Sequence, residues 1–191
     1  MLRQAALCAL FMVVFALAGS IWVTSAPDPA RAAGRGVMVK QPEILGEIAR
    51  YQRVTWRWQR VMSSTLTKSS GTARRLRSAA YRRWVRDLWR RRALRTRRVA
   101  QNPPHKGAWL CLFAHERHPA HGWRTRTGNG FYGGLQMNWE FMATYGSRLL
   151  HTKGTADRWT PLEQMWVGER ALRAGRGFHP WPNSGRACGL I

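Results

Sequence analysis

Apolar residues recur at helical spacing in two long stretches of this chain. Ile44, Ile48, Tyr51, Thr55, Trp58 and Met62 follow one another at intervals of 4, 3, 4, 3 and 4. That period places them on one face of a helix over residues 44–62. Trp56 lies beside the stripe, and Arg50, Arg53, Arg57 and Arg60 are dispersed around the rest. A Ser/Gly break at residues 68–72 interrupts the pattern. It resumes over residues 74–100, with Leu76, Ala80, Trp84 and Leu88 on one face and arginines elsewhere. Asn102-Pro103-Pro104 ends this second helix, because proline disfavours helical backbone at the residue before it. Residues 108–191 then read as a compact domain. Trp109, Leu112 (or Phe113) and Glu116 share a helix face there. Thr160-Pro161 looks like a helix start that suits Glu163 in its first turn. Trp139, Phe141, Met165 and Trp166 are expected in the core. The chain is expected to be mainly α.

The N-terminal residues carry a different pattern. Arg3 precedes an apolar run over residues 5–23, broken only by Gly19 and Ser20. Thr24-Ser25-Ala26 and Ala30-Arg31-Ala32 are small-residue cleavage candidates, so residues 1–26 read as a secretory signal peptide. The run is also long enough to serve as an uncleaved membrane anchor, and the sequence leaves both readings open. Arg31, Arg35 and Lys40 after the run outnumber Arg3 before it, which for an anchor points to a cytoplasmic location. Asp28 and the prolines of a linker over residues 27–43 look exported, and export is the expectation: secreted, or membrane-anchored facing the cell wall.

Charge changes the picture of the helical segment, residues 44–100. The chain carries a net charge of +23. Residues 50–100 hold 17 Lys/Arg and one acid, Asp87, whereas residues 101–191 hold 11 and five. So basic a segment needs a polyanion or open solvent. One reading is attachment of residues 50–98 to anionic wall polymers or a membrane surface through arginines and interleaved Trp. The plainer reading is a helical hairpin that buries its apolar stripes and leaves its arginines solvated. The charge also fits nucleic acid, but no base-reading motif is visible, so that partner is not expected.

Cys8 lies within the apolar run, which leaves Cys111 and Cys188. Two buried free thiols are one option. Export favours the other, a single bridge closing a loop of 77 residues, worth about 4–5 kcal/mol in the chain-entropy model.

Candidate chemistry centres on Glu116 and residues 127–137, Thr-Gly-Asn-Gly-Phe-Tyr-Gly-Gly-Leu-Gln-Met. Four glycines in seven residues mean a backbone that turns sharply and permits close approach. Gly133 and Gly134 would let backbone amides reach a ligand. Gln136 offers a donor and an acceptor. Tyr132 and Trp123 can stack on sugar faces. Trp109 and its neighbours lead an apolar stripe up to Glu116, and a carboxyl group against apolar walls holds its proton more firmly, as a general acid requires. The plain alternative is a surface Glu paired with Arg117 or Arg124. Glycosidases usually use two carboxylates. Glu140, Asp157, Glu163 and Glu169 remain, and none stands in an evident site context; Glu140 and Glu169 are expected at helix surfaces and Asp157 in a polar loop. A lone Glu116 favours a mechanism in which it protonates the bridging oxygen. It then takes a proton from the sugar's own C6 hydroxyl, which closes an anhydro ring. Hydrolysis with a bound water is the other route. Neither a cofactor nor a metal is expected.

Together these residues resemble the transglycosylase-like domain of the resuscitation-promoting factors. The resemblance runs from Trp109 and Glu116 through Trp123 and Thr127 to Gly128-Asn129-Gly130-Phe131-Tyr132-Gly133-Gly134-Leu135-Gln136, and closes on Trp181-Pro182 and Cys188. It implies a small α-helical lysozyme-like fold over residues 108–191. It also implies a peptidoglycan substrate, cut at the β-1,4 bond between N-acetylmuramic acid and N-acetylglucosamine. Glu116 would be the catalytic acid, with Thr127, Tyr132 and Gln136 in the cleft. The chain departs from the family at three places. His115 stands where the family has a cysteine, so a bridge to Cys188 would start one helical turn earlier, from Cys111. The stretch between Glu116 and Trp123 is two residues longer and lacks a Gly-Gly. Arg126 replaces an Asn. The leading expectation is an exported enzyme that cuts peptidoglycan glycan strands. The alternative is a non-catalytic, basic wall- or membrane-binding protein on the same scaffold.

Overall fold

The computed structural model describes residues 41–69, 71, 75 and 78–191. The expected signal or anchor segment, most of the linker, and Leu76 lie outside the described residues. The described chain is mainly helical. Among the described residues no helix is long and apolar enough to cross a membrane.

The first stripe forms α1 (Gln41–Met62) as the spacing requires. Ile44, Ile48, Thr55 and Met62 are buried. α2 spans Ala79–Gln101 and starts at Ser78, whose hydroxyl accepts from the Tyr81 amide. Its buried face differs from the expected one. Val85, Trp89, Ala93 and Ala100 are buried, while Trp84 is 55% exposed. The reason lies further along the helix. Continued toward the C-terminus, the Trp84–Leu88 stripe becomes Arg91, Arg95 and Arg98. The neighbouring stripe stays free of charge, and only that one can be covered along its length.

α1 and α2 do not form a hairpin. Arg86 near the start of α2 meets Glu47 near the start of α1 at 3.6 Å, and Met62 and Ala100 share a cluster at the far ends. The helices therefore run in the same direction. Residues 63–69 return along α1 instead: Trp56 Nε1 donates to Thr67 O (2.8 Å) and Gln52 Nε2 to Ser69 Oγ (2.7 Å). Ile44, Ile48, Val85 and Trp89 make the inner cluster of the pair.

The far end of this pair packs on the rest of the chain. Trp166 joins Met62 and Ala100 in one cluster, and its Nε1 donates to Ala100 O at 2.8 Å. Arg170 spans the same seam, bonding Tyr145 O and Ser63 Oγ. Burial, with Arg173 and Arg148 nearby, pushes its guanidinium down to about 10.

Residues 106–191 build the second core. α3 (Lys106–Glu116) begins on a borrowed acid: Glu169 accepts from the His105 amide (2.8 Å) and from Trp109 Nε1 (2.9 Å). Glu169 is 2% exposed, not the surface residue its helical position suggested. It occupies the site where a helix N-terminus favours negative charge. A short antiparallel ribbon, β1 (Phe131–Tyr132) and β2 (Met137–Asn138), pairs Phe131 with Asn138 and Tyr132 with Met137. α4 (Trp139–Lys153) starts at Asn138, whose Oδ1 accepts from the Phe141 amide. α5 (Pro161–Arg173) starts with the reciprocal Thr160–Glu163 capping box, and α6 spans Pro182–Ala187. Trp109, Leu112, Leu135, Met142 and Val167 are fully buried between these elements. Phe141, Met165 and Trp166 are buried as expected, but Trp139 is 62% exposed.

Candidate functional site

α3 ends on Glu116, and three local features set the surroundings of that carboxylate. Arg117 leaves the helix in extended conformation. The chain then turns back on Thr125, whose buried hydroxyl donates to Gly122 O (2.6 Å) and accepts from the His118 amide (2.9 Å). This pins residues 117–125 to the end of α3. Opposite, α6 presents Ser184. Its hydroxyl donates to Glu116 Oε1 at 2.5 Å, and the residue is only 4% exposed. Glu116 itself is half-buried.

The same two helices are joined covalently. Cys111 and Cys188 form a disulfide with Cα atoms 6.1 Å apart. Cys111 precedes Glu116 by five residues and Cys188 follows Ser184 by four. α3 and α6 thus carry the bridge on one turn and the carboxylate–hydroxyl pair on the next. Among the described residues, one group of potential metal ligands stands close together: Cys111, His115 and Cys188. Both of its sulfurs are committed to the disulfide.

The glycine loop lies against α3 one turn before the carboxylate. Phe113 stacks on Trp123 with ring centroids 4.1 Å apart and planes at 4°. A Cβ on Gly134 would sit 2.6 Å from Phe113 Cδ2 and 2.9 Å from Trp123 Cε3. Gly133 has φ of 75°, and a Cβ there would reach within 2.5 Å of Gln164 Oε1. The amides of Gly133 and Gly134 donate to Thr125 O (2.8 Å) and Trp123 O (3.1 Å). The two glycines therefore permit close packing, and their amides bond within the protein, not outward as the sequence suggested. Gln164, fully buried, ties the loops together through Nε2 bonds to Trp123 O, Ala156 O and Trp159 O.

Gln136 sits at φ of 48°, a left-handed conformation uncommon for a residue with a side chain. Its Nε2 donates to Gly133 O at 2.8 Å, which fixes the amide plane. Beside it opens a cleft of about 290 Å³, with Phe131, Glu140, Tyr145, Arg176 and Trp181 among its walls. Gln136 is the one expected binding residue that lines this cleft. Thr127 is exposed on the loop, and Tyr132 is half-buried against the core. Trp123 has one face covered by Phe113. Glu116 is not among the cleft walls. Trp181 connects the two regions: it lines the cleft, donates from Nε1 to Leu135 O (2.6 Å), and directly precedes the helix that carries Ser184.

Comparison with known proteins adds one relationship. Resuscitation-promoting factor Rpf1 of Corynebacterium glutamicum is 40% identical to this chain over 68 residues. Part of the chain is therefore similar to a resuscitation-promoting factor. The aligned residues make up 36% of this chain and 34% of that protein. No family model matches the chain, and no solved structure matches it.

Two residues of the site region, Ser184 and Gln164, carry no signal in the sequence. Ser184 lies in a short polar stretch after Trp181-Pro182 with no periodicity to single it out. Gln164 follows the capping-box acid and reads as an exposed helical residue. Glu140, the candidate second acid expected at a helix surface, is exposed and also lines the cleft.

Proposed function

We propose that this chain is an exported peptidoglycan-cleaving enzyme with a lysozyme-like domain, and that Glu116 is its general acid and base. The observation that carries the reading is the half-buried Glu116 carboxylate. It closes the helix whose Phe113, one turn earlier, stacks on Trp123, and it is held by the Ser184 hydroxyl at 2.5 Å. The similarity to a resuscitation-promoting factor supports the same substrate class.

In this reading Glu116 donates its proton to the oxygen bridging N-acetylmuramic acid and N-acetylglucosamine, and the C1–O bond breaks. The resulting carboxylate takes the proton of the attacking hydroxyl. With the sugar's C6 hydroxyl as nucleophile, the product is an anhydro ring; with water, it is a reducing end. Ser184 holds Glu116 in one orientation throughout. The cleft bounded by Gln136, Phe131, Glu140 and Trp181 binds sugar units adjoining the cut. In this reading Thr127, Tyr132 and Trp123 also contact the glycan.

The test is Glu116→Gln in the full chain, assayed for solubilisation of purified peptidoglycan. The variant is expected to keep its thermal midpoint and lose about 10²–10⁴-fold in rate, the range for removing a general acid. Undiminished solubilisation would rule out the assignment.

A further inference from the structure

The outward side of α2 is left without a role by glycan cleavage. Trp84 is 55% exposed and Leu94 59%. Arg91, Arg95 and Arg98 are exposed beside them. At 100° per residue, Trp84, Arg91, Leu94 and Arg98 point away from the Val85–Trp89–Ala93 face that packs on α1. The helix has one acid, Asp87, and it is paired with Arg86 at 2.9 Å. The 23 residues of α2 extend about 34 Å, so the face is long and straight.

We propose that this face docks on an anionic lipid bilayer, with α2 lying in the headgroup plane. The charge alone would suit any polyanion. The apolar residues decide between them. A hydrated polymer can stack a sugar on Trp84 but offers Leu94 nothing apolar to bury against. The boundary between headgroups and acyl chains takes such side chains in, while arginines at the same level bond lipid phosphates. Indole rings favour that boundary in particular. The proposal is independent of glycan cleavage. It gives the basic segment a specific use, which is to hold the chain at a membrane surface.

The experiment uses the full chain and sedimentation with vesicles. Phosphatidylcholine vesicles are compared with vesicles in which part of that lipid is replaced by phosphatidylglycerol. Because the apolar run at residues 5–23 is present in every protein compared, substitutions on α2 isolate its contribution. The anionic lipid is expected to strengthen partitioning by about 100-fold, given about fivefold per arginine at the surface. Arg91→Gln, Arg95→Gln and Arg98→Gln together are expected to remove most of that gain. Trp84→Ser with Leu94→Ser is expected to weaken binding to the anionic vesicles by about tenfold or more. All these positions are exposed, and unchanged thermal midpoints confirm that the variants fold. Partitioning unaffected by either set of substitutions overturns the proposal. So does a dependence on the arginines alone, with soluble polyphosphate bound equally well by the Trp84→Ser/Leu94→Ser variant. That result assigns the face to a soluble polyanion.

Discussion

The Ser184 hydroxyl donates to Glu116 Oε1 at 2.5 Å, and the disulfide between Cys111 and Cys188 clamps the same two helices one turn away. A hydroxyl bond to a charged group is worth about 1.5–3 kcal/mol. Its larger effect here is positional, since a carboxylate at a helix end otherwise samples several rotamers. Ser184→Ala is expected to slow peptidoglycan solubilisation by about 10–100-fold and to lower the thermal midpoint by a few degrees. Ser184→Thr should recover part of that loss. Rates equal to wild type in the alanine variant would remove Ser184 from the mechanism.

Reduction of the disulfide should affect stability and activity together. The bridge closes a loop of 77 residues between α3 and α6. Cys111→Ser with Cys188→Ser is expected to lower stability by about 2–5 kcal/mol, read from denaturant unfolding. It should also slow cleavage, because the helices that hold Glu116 and Ser184 in register are then free to separate. Stability lost without any change in rate would show that the Ser184–Glu116 pair does not depend on the bridge.

Gly134 sets how closely the loop approaches α3. The site has no room for a methyl group between the Phe113 and Trp123 rings. Gly134→Ala is expected to destabilise the protein by about 1–3 kcal/mol, as overpacking does, and to displace Trp123. Loss of near-ultraviolet circular dichroism from the Trp123–Phe113 stack reports the displacement.

Acid should weaken the α4–α5 corner first. Burial alone would raise the Glu163 carboxyl, but Lys153 Nζ at 2.6 Å and the Thr160 amide outweigh it and hold Glu163 below the usual carboxylate range. A group held low when folded contributes stability above its unfolded value. That contribution disappears as pH falls through the folded value. The thermal midpoint should therefore decline as pH drops below about 4.5, the ordinary glutamate value. Glu163→Gln should flatten this decline and lower the midpoint at neutral pH, through loss of the Lys153 pair and half of the capping box. An unchanged acid limb in that variant would place the sensitivity elsewhere.

How much the sequence disclosed depended on whether the signal was local. The α1 stripe was legible because one uninterrupted set of apolar residues defines its face. On α2 two adjacent stripes compete near the start, and the choice between them is made by arginines two turns later. The parallel arrangement of the pair is set by side-chain bonds from the returning segment to Trp56 and Gln52, which no periodicity encodes. Thr160, Pro161 and Glu163 announced the start of α5 because a Thr-Pro start and an acid in the first turn are adjacent in sequence; the reciprocal capping box they form is seen only in the structure. Glu169 was misplaced because its partners, His105 and Trp109, lie about 60 residues away in sequence. At the candidate site, Glu116 and the glycine loop stand out as a local pattern. Ser184 does not, since its contact is 68 residues distant.

Mass spectrometry of the sugar products released from purified peptidoglycan addresses the central claim most directly. The wild-type chain is expected to release disaccharide units cut between N-acetylmuramic acid and N-acetylglucosamine, ending in either an anhydro ring or a reducing sugar. The Glu116→Gln chain, folded to the same thermal midpoint, is expected to release about 10²–10⁴-fold less in the same time. Comparable disaccharide release by both proteins, or release by neither, would contradict the role given to Glu116.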